Sequence, residues 1–228
     1  MKNPNKARAI VFRALTVIAM ALLVVVYFAP IWWVSLKAPN YPPDTFPQGV
    51  RIHFHITGVQ NGCEIRASQE VQEDEALDCV HEMNTINHYI GMAPIEDGGK
   101  IEIMLAPYAF GLLGLMLAAF MVYRGRFWWV LPMGSVALPV GFIADYSAWL
   151  WYFGHSLHPW GAFTVKPFMP TVFGEGKVAQ FSTYSYPHWG FGVMLVISAL
   201  LLFAMLLRWR QLGSESRGSF ASPKFVRN

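Results

Sequence analysis

The chain has 228 residues, 54% of them hydrophobic, with nine tryptophans and a formal net charge of +3. Its length alone would allow one or two soluble domains, but this composition and a positive mean hydropathy point instead to a protein embedded in lipid. The basic residues lie mostly at the ends of apolar segments, where topogenesis explains them, so nothing in the charge pattern calls for nucleic acid.

Crossing a hydrocarbon core takes about 20 consecutive apolar residues, and four segments qualify. The first is expected from about Ile10 to Leu36, behind a basic flank of Lys2, Lys6, Arg8 and Arg13. Its apolar part is too long for a signal peptide and no small-residue cleavage site follows, which predicts an uncleaved anchor. The second runs from about Ile103 to Tyr123 and the third from about Phe127 to Tyr152, joined by a short basic link that makes them an antiparallel hairpin. The fourth spans about Trp189 to Leu207 and stops at "RWR". Trp32, Trp33, Trp128, Trp129, Trp149, Trp151, Trp189 and Trp209 sit near the span ends, as in the interfacial belts of bilayer proteins. Lys2, Lys6, Arg8, Arg13, Arg124, Arg126, Arg208, Arg210, Arg217, Lys224 and Arg227 fall on one side of this scheme, so that side is expected to be cytoplasmic, with both termini inside.

The expected fold class is therefore an α-helical integral membrane protein of four transmembrane helices with a small α+β extracytoplasmic subdomain. Its segments are 1–36 (tail and first helix), 37–102 (outer subdomain), 103–153 (hairpin), 154–188 (outer aromatic and histidine-bearing loop), 189–208 (last helix) and 209–228 (cytoplasmic tail). The expected location is a bacterial inner membrane, with the main loops periplasmic.

Between Lys37 and Lys100 ten acids face four bases, so this outer segment is locally anionic and would attract cations or a basic partner. It opens with the proline-rich turn region "KAPNYPPDTFPQG". "VRIHFHITGV" then alternates as a strand, with Ile52, Phe54 and Ile56 on one face and Arg51, His53 and His55 on the other. From about Ala67 onward the residues favour one or two helices, with a serine-to-acid start as a cap. Cys63 and Cys79 lie on the side where disulfides persist. They form either a structural disulfide, worth about 3 kcal/mol for a loop of this size, or a metal-binding thiolate set.

The stretch "DCVHEMNTINHYIGM" gathers the groups that bind a soft metal. If it is helical to its end, His81, His88 and Met92 share one face; in an extended segment His81 and Met83 would do so. Imidazole suits copper and thioether selects Cu(I), so a mixed set of His81, Met83, His88 and Met92 is a copper site before it is anything else. Glu82, Asn84 and Asn87 would orient those ligands. The competing reading packs Met83, Met92 and Tyr89 in the subdomain core, with the histidines on its surface. No zinc-type spacing strengthens the metal case.

His53 and His55 are a further pair on one strand face, and His155, His158, Met169 and His188 of the second outer segment could complete a site or simply pack at the interface. That segment is too rich in proline to be one helix and is expected to fold over the bundle mouth or lie in the interface. Asp145 is the one acid well inside the third span, and such a carboxylate either guides a proton or cation or bonds to Tyr146 or a neighbouring helix.

The strings "PIWWVSLKAPNYP", "NTINHYIGMAPI" and "DYSAWLWYFGHSLHP" with "VKPFMPTV" and "QFSTYS" resemble a family of bacterial integral membrane proteins found beside copper-protein and nitrous oxide reductase maturation genes. The resemblance covers about Pro30 to Tyr186. It implies a role in copper handling or assembly of a periplasmic copper enzyme, and it directs attention to His81, Asn87, His88, Tyr89, Gly91 and Met92, then to His155, Lys166 and Met169. The insert around Cys63 to Cys79 departs from that pattern, so no role for the cysteines comes with it.

Copper as cofactor and a periplasmic or membrane copper protein as partner are thus the leading expectation, with homo- or hetero-oligomers allowed. No nucleophile triad, phosphate loop or paired carboxylate site suggests an enzyme. Two alternatives stand beside it: a non-catalytic scaffold subunit of a membrane complex, and a redox-enzyme subunit whose His155 and His188 contact haem or whose bundle contacts quinone.

Overall fold

The structure, a computed structural model, describes residues 4–63, 78–162, 164–178 and 180–220. In chain order its elements are α1 (Pro4–Phe28), β1 (Pro30–Lys37), β2 (Val50–His55), β3 (Gly58–Asn61), α2 (Cys79–Tyr89), α3 (Lys100–Val122), α4 (Met133–Val136), α5 (Leu138–His155), β4 (Gly174–Val178), β5 (Phe181–Pro187) and α6 (Trp189–Phe220). The helical expectation from about Ala67 falls largely on residues 67–77, outside the described residues.

Among the described residues three helices are long and apolar enough to cross a membrane: Lys6–Phe28, Lys100–Val122 and Trp189–Gly213. A fourth exists if Trp128–Val136 and Leu138–His155, which meet at a 47° bend, count as one span. Proline accounts for the bend: Ala137 still bonds back to Met133 O at 2.9 Å, but Pro139 has no N–H with which to continue the ladder. The chain is thus compatible with a helical membrane protein carrying a β subdomain.

The first span is shorter than its apolar run suggested. Ala29 N–H closes the last turn of α1 on Val25 O at 3.0 Å, and Pro30 cannot donate the next bond. The β-branched and aromatic residues that follow, Ile31 to Val34, are better suited to a pleated strand, and β1 becomes the central strand of a sheet rather than the end of a membrane helix.

The chain divides into two compact units: Met1–Val24 with Phe110–Leu138 and Val193–Asn228, and Val25–Ala109 with Pro139–Gly192. In the first, Phe12, Phe120 and Ala204 form a buried cluster. Arg208, only 3% exposed, lies 4.9 Å from the Phe12 ring and 5.3 Å from the Phe120 ring. It donates to Met121 O and Tyr123 O at the end of α3. This arginine of "RWR" therefore caps a helix C-terminus, where a cation meets unpaired carbonyls.

The second unit holds a five-stranded antiparallel sheet in the order β3-β2-β1-β5-β4. Both outer segments build it, so the α+β subdomain is not confined to residues 37–102, and the second segment contributes the β4–β5 hairpin. Strand alternation sorts the faces: Trp32, Val34 and Leu36 of β1 and Val50 and Ile52 of β2 bury one side against Cys79, Met83 and Ile86 of α2 and Tyr146 of α5.

A polar network is sealed inside that core. Trp32 Nε1 donates to Ser185 Oγ at 2.8 Å, and Ser185 Oγ donates to Val172 O at 2.8 Å. The serine's single proton is thereby used, so the Tyr146 hydroxyl 3.2 Å away is a donor to it. All three groups are satisfied, which a low-dielectric interior requires.

Helix α2 is capped by Asp78, and the serine-to-acid start expected near Ala67 lies outside the described residues. The Asp78 carboxylate accepts from Val80 N at 3.0 Å and His81 N at 3.1 Å, an ordinary N-cap. Cys63 and Cys79 are disulfide-bonded with Cα atoms 5.9 Å apart, so in this state neither offers a thiolate to a metal. Replacing both by serine is expected to lower stability by about 3 kcal/mol, because the sixteen-residue separation sets the loop entropy returned to the unfolded chain. Thermal melts of wild type and double variant in the same detergent check this.

Candidate functional site

The stretch from Asp78 to Met92 does not converge as its spacing suggested. Helix α2 ends at Tyr89, so Met92 is not on its face. Met83 and Met92 are 3% and 8% exposed, and they pack in separate apolar clusters, Met83 with Cys79 and Ile86 and Met92 with Ile90 and Phe153. His81 and His88 are exposed on the opposite side of the helix. The amphipathicity of α2 explains the burial of Met83, which turns with Cys79 and Ile86 toward the sheet.

The proposed orienting residues have structural partners instead. Glu82 Oε2 accepts from Tyr41 OH at 2.9 Å, and burial together with that carboxylate pushes the Tyr41 hydroxyl up to about 12. Asn84 accepts from Ile95 N and donates to Glu96, both at 2.9 Å. Asn87 is buried, and its backbone carbonyl accepts from Met92 N at 2.8 Å.

This last bond belongs to a helix stop. Gly91 N bonds to His88 O at 3.0 Å while Met92 N reaches back to Asn87 O, and Gly91 has φ of 79°. Together these form a Schellman motif with glycine in the left-handed position. The "NHYIGM" string is thus a helix C-cap. Gly91 O then accepts from His158 N at 2.7 Å, which joins it to the "GHSLHPWG" string. His158 stacks on Trp160 at 3.9 Å, and His88 stacks on the same indole at 6.3 Å. His155 stacks on Trp151 at 4.5 Å, its Nδ1 2.8 Å from Trp151 O. Met169 and Lys166 are exposed.

Asp145 is exposed on α5, one turn before Trp149, whose Nε1 donates to Glu102 at 3.3 Å. A shallow cleft of about 350 Å³ lined by Lys37, Tyr41, Phe46 and neighbouring prolines contains no histidine.

The histidines that do come together are His53, His55 and His188. His53 and His55 project from the same face of β2, since β-strand side chains alternate. His188 follows β5 and is held beside β1 by its N–H bond to Ile31 O at 2.9 Å. The His53 and His188 rings are 5.0 Å apart, edge to face. His55 Nδ1 lies 3.1 Å from Phe28 O and donates to it, which leaves Nε2 with the lone pair a metal takes. His188 Nδ1 accepts from Trp189 N at 2.9 Å. Among the described residues no group of three or more His, Cys, Asp or Glu side chains is gathered closely enough to hold a metal as placed.

All three imidazoles are shifted toward the neutral form. Burial, then the neighbouring His188, Arg51 and His55, lower His53 from 6.5 to about 4; burial likewise lowers His55 and His188. In the unfolded chain His53 takes its proton near 6.5, and in the folded chain only near 4. The stabilisation is therefore complete above pH 6.5 and lost as pH falls toward 4. The melting temperature of the solubilised protein is expected to drop across that window, and more shallowly for His53→Gln; parallel curves for the two would refute the assignment.

Sequence alternation pairs His53 with His55, but His188 joins them only because β5 lies beside β1, a pairing between segments some 150 residues apart. No protein-family model, no curated protein and no solved structure matches this chain.

Proposed function

We propose that the chain is a four-span bacterial inner-membrane protein, with both termini cytoplasmic, that holds copper on its periplasmic side for delivery to, or assembly of, a copper enzyme. The observation that carries the reading is the convergence of His53, His55 and His188 from two distant segments onto one end of the sheet. Neutral imidazoles are the ligand form, and protonation does not compete for them at neutral pH. A 5.0 Å separation of ring centroids matches two imidazoles on one ion with metal–nitrogen bonds of about 2 Å and a roughly tetrahedral angle, once the rings rotate to face it. His55, on the same face of β2, is the candidate third donor. The imidazole set suits copper as well as zinc, and the sequence resemblance favours copper. Basic residues at one set of span ends support the orientation, and the disulfide fits an oxidising compartment.

Cu(I) titration of the detergent-purified chain against a competing chelator tests this. One tightly held ion, lost in His53→Ala/His188→Ala and kept in His81→Ala/His88→Ala, is the expected outcome. Equal affinity in the first double variant and wild type rejects the site.

A further inference from the structure

We propose that the Cys63–Cys79 disulfide is an exchangeable redox site, opened by a dithiol reductant of the outer compartment, and that its opening uncovers the His53 imidazole. The chain leaving β3 lies directly on that ring. Gly62 N bonds to Arg51 O at 3.0 Å, and a Cβ on Gly62 would stand 2.9 Å from both Cδ2 and Nε2 of His53. A side chain at this position would have to push the imidazole aside. What fixes this cover is the next residue: Cys63 is bonded to Cys79, which is fully buried in the sheet–helix core. The Asn61 side-chain oxygen accepts from Cys63 N at 3.1 Å and Cys79 N at 3.2 Å, clasping the two strands of chain at the bridge.

The two sulfurs are unequal in a way that suits exchange. Cys63 is half-buried whereas Cys79 is fully buried, so Cys63 is the more accessible of the two, and Cys79 is the first residue of the eleven-residue α2. A helix N-terminus stabilises a departing thiolate, although the Asp78 cap, already bonded to Val80 and His81, opposes part of that effect. The reductant's thiolate attacks Cys63 Sγ, the S–S bond breaks, and Cys79 leaves as thiolate and takes a proton. The reductant's second thiol then displaces Cys63 from the mixed disulfide. Two electrons and two protons have moved to the protein, and the dithiol has become a disulfide. With the tether gone, Gly62 is held over His53 by hydrogen bonds alone. If His53 is a copper ligand, which rests on the reading above, the bridge sets access to it.

The test uses the full chain in detergent, with and without dithiothreitol under native conditions. Alkylation mass mapping reads the cysteines, and the rate of carbethoxylation by diethyl pyrocarbonate reads each histidine. Reduction without denaturant and a rise of about fivefold at His53, with already exposed His81 unchanged, is the expected pattern for a local opening. Gly62→Ala should raise His53 reactivity similarly with the bridge intact. A bridge that resists the dithiol, an unchanged His53 rate after reduction, or a rise shared by every histidine overturns the proposal. Neither readout involves copper, so failure of the copper titration leaves this result separately legible.

Discussion

Replacing Gly91 with alanine is expected to destabilise the sheet-bearing unit by about 3 kcal/mol, as two costs add. Its φ of 79° is the left-handed conformation that the helix stop requires and that an L side chain adopts only under strain. The added Cβ would also stand 2.5 Å from His158 O, a backbone atom that cannot swing away. Gly161 is packed as tightly from the other side, since a Cβ there would lie 2.8 Å from Gly91 N. The variant should therefore melt well below wild type and lose the His158–Trp160 stack, read as a change in tryptophan emission. A melting point within a degree or two of wild type would show that the two segments do not dock as described.

Removing Trp32 is expected to cost about 3–5 kcal/mol, the range for truncating a buried aromatic to alanine. It is 2% exposed at the centre of the sheet face, with the rings of Phe142, Tyr146 and Phe191 at 6.0, 5.7 and 5.5 Å. The smaller change Ser185→Ala separates packing from hydrogen bonding. It strips Trp32 Nε1 and Tyr146 OH of their shared partner while leaving the apolar contacts, and is expected to cost about 1–3 kcal/mol. Denaturation curves of both variants, with equal slopes, measure the ratio. A Ser185→Ala protein as stable as wild type would mean that the buried network contributes nothing net.

Several features were legible in the residue string because they depend on local pattern. Uninterrupted apolar length marked the helices, since hydrocarbon imposes a minimum span. Alternation in "VRIHFH" placed His53 and His55 on the polar face of β2, and that strand is present. Other features were misread where two local signals competed. The apolar run through Pro30 looked like one long helix, and only the missing N–H and the neighbouring strands β2 and β5 make Ile31–Leu36 a strand. In "HYIGM" helical spacing put Met92 beside His88, yet Gly91 ends the helix and sends Met92 into the Phe153 cluster.

By itself, then, the sequence determined that this chain has helices able to span a membrane, a half-polar strand bearing two histidines, and two cysteines free to pair. Tertiary structure decided that the cysteines do pair, that Met83 packs in the sheet–helix core, and that His188 stands beside His53. The physical reason is range. Hydrophobic periodicity, proline and capping act over a few residues, whereas the burial of Met83 depends on α2 packing against the sheet, and the meeting of His53 with His188 on β5 finding β1 across most of the chain.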